Sequence, residues 1–275
     1  MTKDAVPLKP AATVLLVRDN ITELDRLEVF MVVRHHQIDF ASGALVFPGG
    51  KVDKADLKKE LADHLPAAQP LDDPLLSFKI AAIREAFEEC HVLLARDRST
   101  GQLVSPEKLE TLTEKYRKDM QAGDIDILKM ADAEDLELAT EMLAHYSHWL
   151  TPTFMPKRFD THFFIAKAPP EQLAVHDGEE SVDSVWIGPH AAMEGAKNGK
   201  YTVIFPTLMN IEYLAKYSSA DEAITDANRT KTVTVLPKLE NTDDGKFLNI
   251  PAEAGYSLTR RKIDPMMDPD QKRKA

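Results

Sequence analysis

The sequence predicts an α/β fold of mixed α+β character, in which one mixed sheet is layered with helices. Short runs rich in Val, Leu and Phe have the composition of strands, whereas residues 77–94 carry an apolar stripe at helical spacing. Their order is strands, helix, inserted helices, strands, helix, strands, an interleaving that suits stacked layers. Scale agrees, since 275 residues with 43% hydrophobic and 29% charged content can bury a substantial core.

Residues 1–10 hold Pro7 and Pro10 and read as a loose N-terminal arm before one domain over residues 11–257. Ala12–Arg18 and Leu27–Arg34 read as a hairpin across the polar loop Asp19-Asn20 and Glu23–Arg26. Ala44–Phe47 is a short third strand, stopped by Pro48-Gly49-Gly50. Pro66, Pro70 and Pro74 prevent one long helix, so residues 57–78 read as an inserted surface excursion with a short helix at 57–64. Ile80, Ile83, Phe87, Cys90 and Leu94 then form the apolar stripe of a helix that begins near Ser77.

A second insertion spans about residues 97–148. Leu109, Leu112, Tyr116 and Met120, then Leu136, Leu138, Met142 and Tyr146, predict helix over 106–148. Phe159–Ala166 and Ser181–Ile187 are expected strands, and 206–217 a helix with Pro206 in its first turn. Val233–Leu239 and Phe247–Ile250 read as a late strand pair across Asp243-Asp244-Gly245. Residues 258–275 read as a C-terminal tail, polar and mobile from Met266.

Composition excludes several functions. Cys90 is the lone cysteine, which rules out an intrachain disulfide framework and a cysteine-based zinc site, and a reducing cytoplasm is the simplest setting. No apolar run approaches the ~20 residues of a membrane span, and Met1–Pro10 has no signal-peptide core. A net charge of −11 opposes non-specific nucleic-acid binding. An anionic substrate therefore needs a bound cation or a few placed Arg and Lys residues.

The segment Arg84-Glu85-Ala86-Phe87-Glu88-Glu89 carries the chemistry. On a helix Glu85, Glu88 and Glu89 share a face, and their repulsion on an exposed helix, a few tenths of a kcal/mol per pair, becomes attraction around a divalent cation. Most acidic helix faces are only solvated, so the context matters. Upstream, Gly49 and Gly50 permit a tight turn and close backbone approach to a ligand, and Asp53 and Asp56 follow. A glycine turn, carboxylates and an acidic helix together suit phosphate and metal.

These segments resemble the two halves of a Nudix box, G-x5-E-x7-R-E-U-x-E-E-x-G-U with U aliphatic. Gly50 matches the first glycine, Asp56 stands at the first glutamate, and Arg84, Glu85, Glu88 and Glu89 match the charged core. Ala86 and Val92 occupy U positions. The gap from Asp56 to Arg84 holds 27 residues instead of seven, and His91 replaces the second glycine. Loop entropy grows slowly with length, so the insertion is tolerable, and His91 is expected to let the helix run on into Val92–Leu94. The split box, with Trp149–Pro152 and Arg158–Thr161, is similar to the peroxisomal-type coenzyme A diphosphatases, a likeness running from about residue 10 to 257.

The resemblance implies a Nudix α/β/α sandwich and hydrolysis of a diphosphate linkage with Mg²⁺, Mn²⁺ being the substitute ion. By analogy Glu85, Glu88 and Glu89 hold the metal, and Asp56 is a remote ligand or the acceptor of an Arg84 ion pair. Arg84 orients the carboxylates, and Glu88 or Glu89, or else Glu179 or Glu180 from a loop, supplies the base. His91 is a poor ligand for a hard cation. Arg34, Gly49, Gly50, Lys51, Lys157 and Arg158 are candidates for substrate contacts, each weighed against a plain surface role. Trp149 and Phe159 could stack a base or simply fill the core.

The substrate reading is coenzyme A or an acyl derivative, giving 3′,5′-ADP and a phosphopantetheine product. The upstream coenzyme A pattern is kept at Arg34, Gly43 and Phe47–Gly50 but departs at His35 and Asp39, which removes one bidentate phosphate donor. Nucleoside diphosphate sugars or dinucleoside polyphosphates are the alternative substrates, and a non-catalytic nucleotide-binding scaffold is the alternative of another class. No nucleic-acid or membrane partner is expected, and the chain is expected as a monomer or homodimer.

Overall fold

The computed structural model describes residues 6–20, 22, 24–34, 44–172 and 181–263. Its strands, in chain order, are β1 (Lys9–Asp19), β2 (Leu27–Arg34), β3 (Leu45–Val46), β4 (Gly49–Lys51), β5 (Ala95–Asp97), β6 (Gln102–Leu103), β7 (Leu136–Leu138), β8 (Ala144–Leu150), β9 (Phe159–Lys167), β10 (Ser181–Ile187), β11 (Thr234–Val235), β12 (Lys238–Thr242), β13 (Gly245–Asn249) and β14 (Arg260–Lys262). The α-helices are α1 (Leu76–Cys90), α2 (Pro106–Leu112), α3 (Lys118–Ala122), α4 (Ile127–Glu134), α5 (Pro189–Lys197), α6 (Phe205–Leu214) and α7 (Ala220–Arg229).

The main sheet runs β10-β2-β1-β9-β8-β11, with β3 on β2 and β4 on β1. It is mixed because β1 and β9 are parallel, as are β8 and β11, while the other pairs are antiparallel. Strand β1 changes partner along its length. Ala11–Thr13 pair with β4, and Val17–Asp19 pair with β2.

Both faces of this sheet are covered, which explains why β1 and β2 read as nearly continuous apolar runs. Val14, Leu16, Phe30, Val32 and Phe164 enter one core with α1 and the helices of the second insertion. Leu15, Val17, Val29, Met31 and Ile165 enter the other, with α5, α6 and α7. The result is the α/β/α sandwich with a mixed sheet that the resemblance implied. Trp149 belongs to the second core: its ring meets Phe205 edge-on, and Nε1 donates to Tyr256 Oη at 3.0 Å. Phe159 is half-buried at the start of β9.

Several expectations change. Pro48-Gly49-Gly50 does not stop the third strand for good, since the chain resumes at Gly49 as β4. Residues 57–78 are more than a surface excursion. Leu61 and Leu65 are buried, and His64 bonds to Leu136 O at 2.8 Å and Asp132 at 2.6 Å, so the first insertion packs on the second. The helical reading of 106–148 holds only to Glu134. Leu136 and Leu138 lie on β7, and Tyr146 on β8, because their side chains pack across ladders to β5 and β9. Helices α5 and α7 had no counterpart in the sequence reading. Of the expected late pair, β11 joins the main sheet, while β12 and β13 form the hairpin. Arg260–Lys262, in the expected tail, pair with β13. Residues 266–275 lie outside the described residues.

Candidate active site

Helix α1 is wrapped by protein on nearly every side: Ile80 through Phe87 are all buried, including Arg84 and Glu85, and so is Glu89. The acidic face is therefore not the exposed face the sequence suggested. Truncating Phe87 to Ala in this setting costs about 3–5 kcal/mol.

Beyond Cys90 the helix stops at once. His91 takes the left-handed conformation with φ 58° and ψ 31°, its N–H reaches Phe87 O, and Val92 N–H reaches Ala86 O. This pair of bonds closes the helix as a glycine would. The expectation that His91 lets the helix continue is corrected: Val92, Leu93 and Leu94 turn into the core, and burying them outweighs the ~1–2 kcal/mol cost of a non-glycine residue there. Arg117 Nε and Gln121 Nε2, from the second insertion, donate to Glu88 O at 2.6 and 3.0 Å. They supply the last turn with donors and a positive charge. Nothing in the local sequence of α1 announced either residue.

The glycines of β4 have a specific reason. A Cβ on Gly50 would lie 2.3 Å from Glu85 Oε1, and one on Gly49 would lie 2.4 Å from Ala12 O. Gly49 N–H donates to Glu89 Oε2 at 2.9 Å. The close approach these glycines allow is to the carboxylates of α1 and to β1.

Arg84 organises the remainder. Its Nε and Nη2 grip Asp56 Oδ1 and Oδ2 at 3.0 Å each, Nη2 also donates to Lys51 O at 2.8 Å, and Nη1 reaches Glu85 Oε1 at 2.9 Å and Glu88 Oε1 at 3.3 Å. Asp56 also accepts from Asp53 N–H at 2.8 Å, and its side chain is 0% exposed. Of the two roles open to Asp56, the structure supports the Arg84 partner. Its oxygens are occupied and closed off from a metal on the glutamate side.

One guanidinium thus serves three carboxylates and a backbone carbonyl. Burial, opposed by Arg84, raises the pKa of Asp56, and burial with Glu88 nearby raises that of Glu85 to about 7. Burial works against the charge on Arg84, but Glu85, Asp56 and Glu88 outweigh it and hold the group cationic. The cluster is short of positive charge, and its donors are hard oxygens, the set that Mg²⁺ takes. The carboxylates are not gathered on one point, since Arg84 Nη1 lies between Glu85 and Glu88. Mg²⁺ commonly uses one or two carboxylates with waters and substrate phosphates, so the arrangement fits that ion. Among the described residues, a trio of His and Asp ligand atoms all within 4.8 Å lies elsewhere, on β8 and β9.

The other candidates scatter. Lys51 exposes its side chain and gives only its carbonyl to Arg84. Arg158 is buried, with Nε on Thr151 O at 3.1 Å and Nη1 on Val6 O at 2.8 Å, which makes it a tie between main-chain segments. Lys157 is exposed. Arg34 ends β2 opposite Ser181, and its side chain lies outside the described residues, as do His35, Asp39, Gly43, Glu179 and Glu180.

Comparison with known proteins bears on the family and the fold. A family model described as the NUDT19 Nudix domain matches residues 63–214, more than half of the chain. The acyl-coenzyme A diphosphatase NUDT19 of Xenopus laevis is 24% identical over 271 residues, covering 83% of this chain and 71% of the relative. Its counterpart from Gallus gallus is 28% identical over 240 residues, covering 71% and 63%. The crystal structure of a Nudix hydrolase from Alicyclobacillus acidocaldarius superposes with a TM-score of 0.62 at 24% identity, covering 80% of this chain and 96% of that one.

Proposed function

The chain belongs to the NUDT19-type Nudix hydrolases, and from that premise we propose that it cleaves the diphosphate linkage of coenzyme A or an acyl-coenzyme A in a Mg²⁺-dependent reaction. The products are 3′,5′-ADP and phosphopantetheine or its acyl derivative. Nudix hydrolases generally use divalent metals; Mg²⁺ is our choice of ion, with Mn²⁺ as substitute. The observation that carries the reading is the carboxylate cluster of α1 beside Gly49 and Gly50 of β4, in which Arg84 holds Glu85 and Glu88 and Gly49 N–H holds Glu89. The substrate choice is supported by relatives named acyl-coenzyme A diphosphatases, of which the chain spans 71% and 63% in the two cases given above.

In this reading Glu85, Glu88 and Glu89 hold the cation. When bound, it neutralises phosphate charge and lowers the pKa of the attacking water. Arg84 is a positioning residue: four of its contacts fix carboxylates and one fixes β4. Glu88 or Glu89 is assigned the proton leaving the water that attacks phosphorus. Gly49 and Gly50 set the distance between β4 and these side chains, and Lys51 and Arg34 remain our candidates for the anionic substrate. A reducing compartment, such as the cytoplasm, suits the one buried cysteine, and among the described residues no helix is long and apolar enough to cross a membrane.

The test is incubation of the full chain with Mg²⁺ and a panel of diphosphate-linked compounds, with products resolved by chromatography. Coenzyme A or acyl-coenzyme A should give 3′,5′-ADP, and chelation or Glu89→Gln should lower turnover at least 100-fold. Turnover of nucleotide sugars or dinucleoside polyphosphates with none of coenzyme A would overturn the substrate. Turnover indifferent to chelator would overturn the metal role, and binding without turnover would favour a scaffold.

A further inference from the structure

Helix α1 ends with a carbonyl that its own closing bonds do not serve. In a helix that ran on, Glu88 O would accept the N–H of Val92, four residues later. Because His91 turns left-handed, Val92 N–H goes to Ala86 O and His91 N–H to Phe87 O, which leaves Glu88 O outside the closing pair. Two side chains of the second insertion take it, Arg117 Nε at 2.6 Å and Gln121 Nε2 at 3.0 Å.

These donors come from a built feature of the insertion. From Pro106 to Ala122 the chain is one continuous helix, in which a π-helical turn over Thr113–Arg117 joins α2 to α3. A single wide turn of this kind is rare and recurs at functional positions. Leu109, Leu112, Tyr116 and Met120 lock the helix into the core that it shares with α1. Arg117 and Gln121 each follow one of these residues, and their spacing of four puts both on one face. Tyr116 Oη and Lys115 Nζ bind Glu134 Oε1 at 2.6 and 2.7 Å, which ties the same turn to α4.

The clamp acts where the other supports do not. Glu85 is walled by Gly50 and gripped by Arg84, which Asp56 anchors. Arg84 Nη1 reaches Glu88 Oε1 at 3.3 Å, and Glu89 Oε2 takes Gly49 N–H at 2.9 Å. Those contacts act on carboxylates. Arg117 and Gln121 act on the backbone of Glu88, the origin from which the side chains of Glu88 and Glu89 project. The bond from the guanidinium is charge-assisted, and a cation suits the negative end of a helix.

We propose that Arg117 and Gln121 are positioning residues for diphosphate hydrolysis: they clamp the last turn of α1 and so hold Glu88 and Glu89 in the reacting geometry. The inference rests on the reading of these glutamates as groups that hold the cation and take the proton. Arg117 and Gln121 work through Glu88 and touch neither substrate nor cation. The second insertion is then a working part of the site.

The experiment compares the full chain with Arg117→Met, Gln121→Leu, Arg117→Lys and Lys115→Met in two measurements. The first is steady-state kinetics on the best substrate of the diphosphate panel, at saturating Mg²⁺ and well below each protein's Tm. A shift of the last turn by part of an ångström should lower kcat at least tenfold in Arg117→Met and about threefold in Gln121→Leu, with KM within about threefold of wild type. Arg117→Lys keeps a charged donor and should recover most of the loss. Lys115→Met, which cuts a neighbouring tie to Glu134, should keep wild-type kcat. The second measurement is amide hydrogen exchange on the metal-free chain. Arg117→Met should speed exchange at Cys90, His91 and Val92 at least tenfold and leave Ile83–Ala86 unchanged.

Wild-type kcat in folded Arg117→Met and Gln121→Leu overturns the proposal. Unchanged exchange at the helix end overturns it too, as does an equal loss of kcat in Lys115→Met. If Arg117→Met does not fold, Gln121→Leu decides. A wild-type chain that cleaves no diphosphate overturns the functional reading and with it the catalytic role of the clamp, whereas turnover that the variants leave untouched overturns the clamp alone.

Discussion

Replacing Gly50 by Ala separates site geometry from fold stability. The added Cβ would sit 2.3 Å from Glu85 Oε1 and 2.6 Å from Glu85 Cδ, where ordinary contact begins at 3.4 Å, so the carboxylate must retreat by about 1 Å. It cannot do so freely, because Arg84 Nη1 holds the same oxygen at 2.9 Å. A displacement near 1 Å at a catalytic constellation costs on the order of 10²-fold in rate. The fold should tolerate the change: Gly50 is not in the left-handed region, and the clash is with the end of a side chain. Gly49→Ala is the contrast, since its Cβ would strike Ala12 O at 2.4 Å and Thr13 Cα at 2.6 Å, both backbone of β1. We expect Gly50→Ala to lose about 100-fold in kcat with a small change in Tm, and Gly49→Ala to lose several degrees of Tm. Steady-state kinetics under saturating Mg²⁺, paired with thermal melts, read both. Wild-type kcat in Gly50→Ala would refute the claim that β4 sets the position of Glu85.

Three other outcomes follow from the same contacts. Arg84→Met leaves the closed-off Asp56 carboxylate without its bidentate partner, so urea denaturation should show a loss of about 3–5 kcal/mol, and milder loss would mean that Asp56 finds water. His91→Gly should be neutral or stabilise by up to ~1 kcal/mol, and His91→Val should destabilise by more than ~1 kcal/mol; the opposite order in chemical denaturation would contradict the left-handed cap. Arg158→Met should cost about 1–3 kcal/mol by leaving Thr151 O and Val6 O without a donor, while KM for the diphosphate substrate stays at the wild-type value. A raised KM with unchanged stability would return Arg158 to the substrate.

Local pattern alone determined a good part of this molecule. Unbroken apolar runs at β1 and β2 mark strands buried on both faces. The three- and four-residue steps from Ile80 to Cys90 mark α1 and fix the shared phase of Glu85, Glu88 and Glu89, because helical geometry converts spacing into direction without any partner. What tertiary structure decided are contacts between residues far apart in sequence. Asp56 meets Arg84 across 28 positions, and Glu88 O receives Arg117 and Gln121 from an insertion that looked incidental. His91 reads as a residue that continues a helix, yet the core demand of Val92–Leu94 forces it into a glycine's conformation. Leu136–Tyr146 has spacing that helix and strand both accept, and ladders to β5 and β9 chose strand. That His145 and His148 share one face of β8 was invisible because a bulge between His145 and Ser147 shifts the phase of alternation. A bulge is a property of two paired strands, and no periodicity within one of them records it.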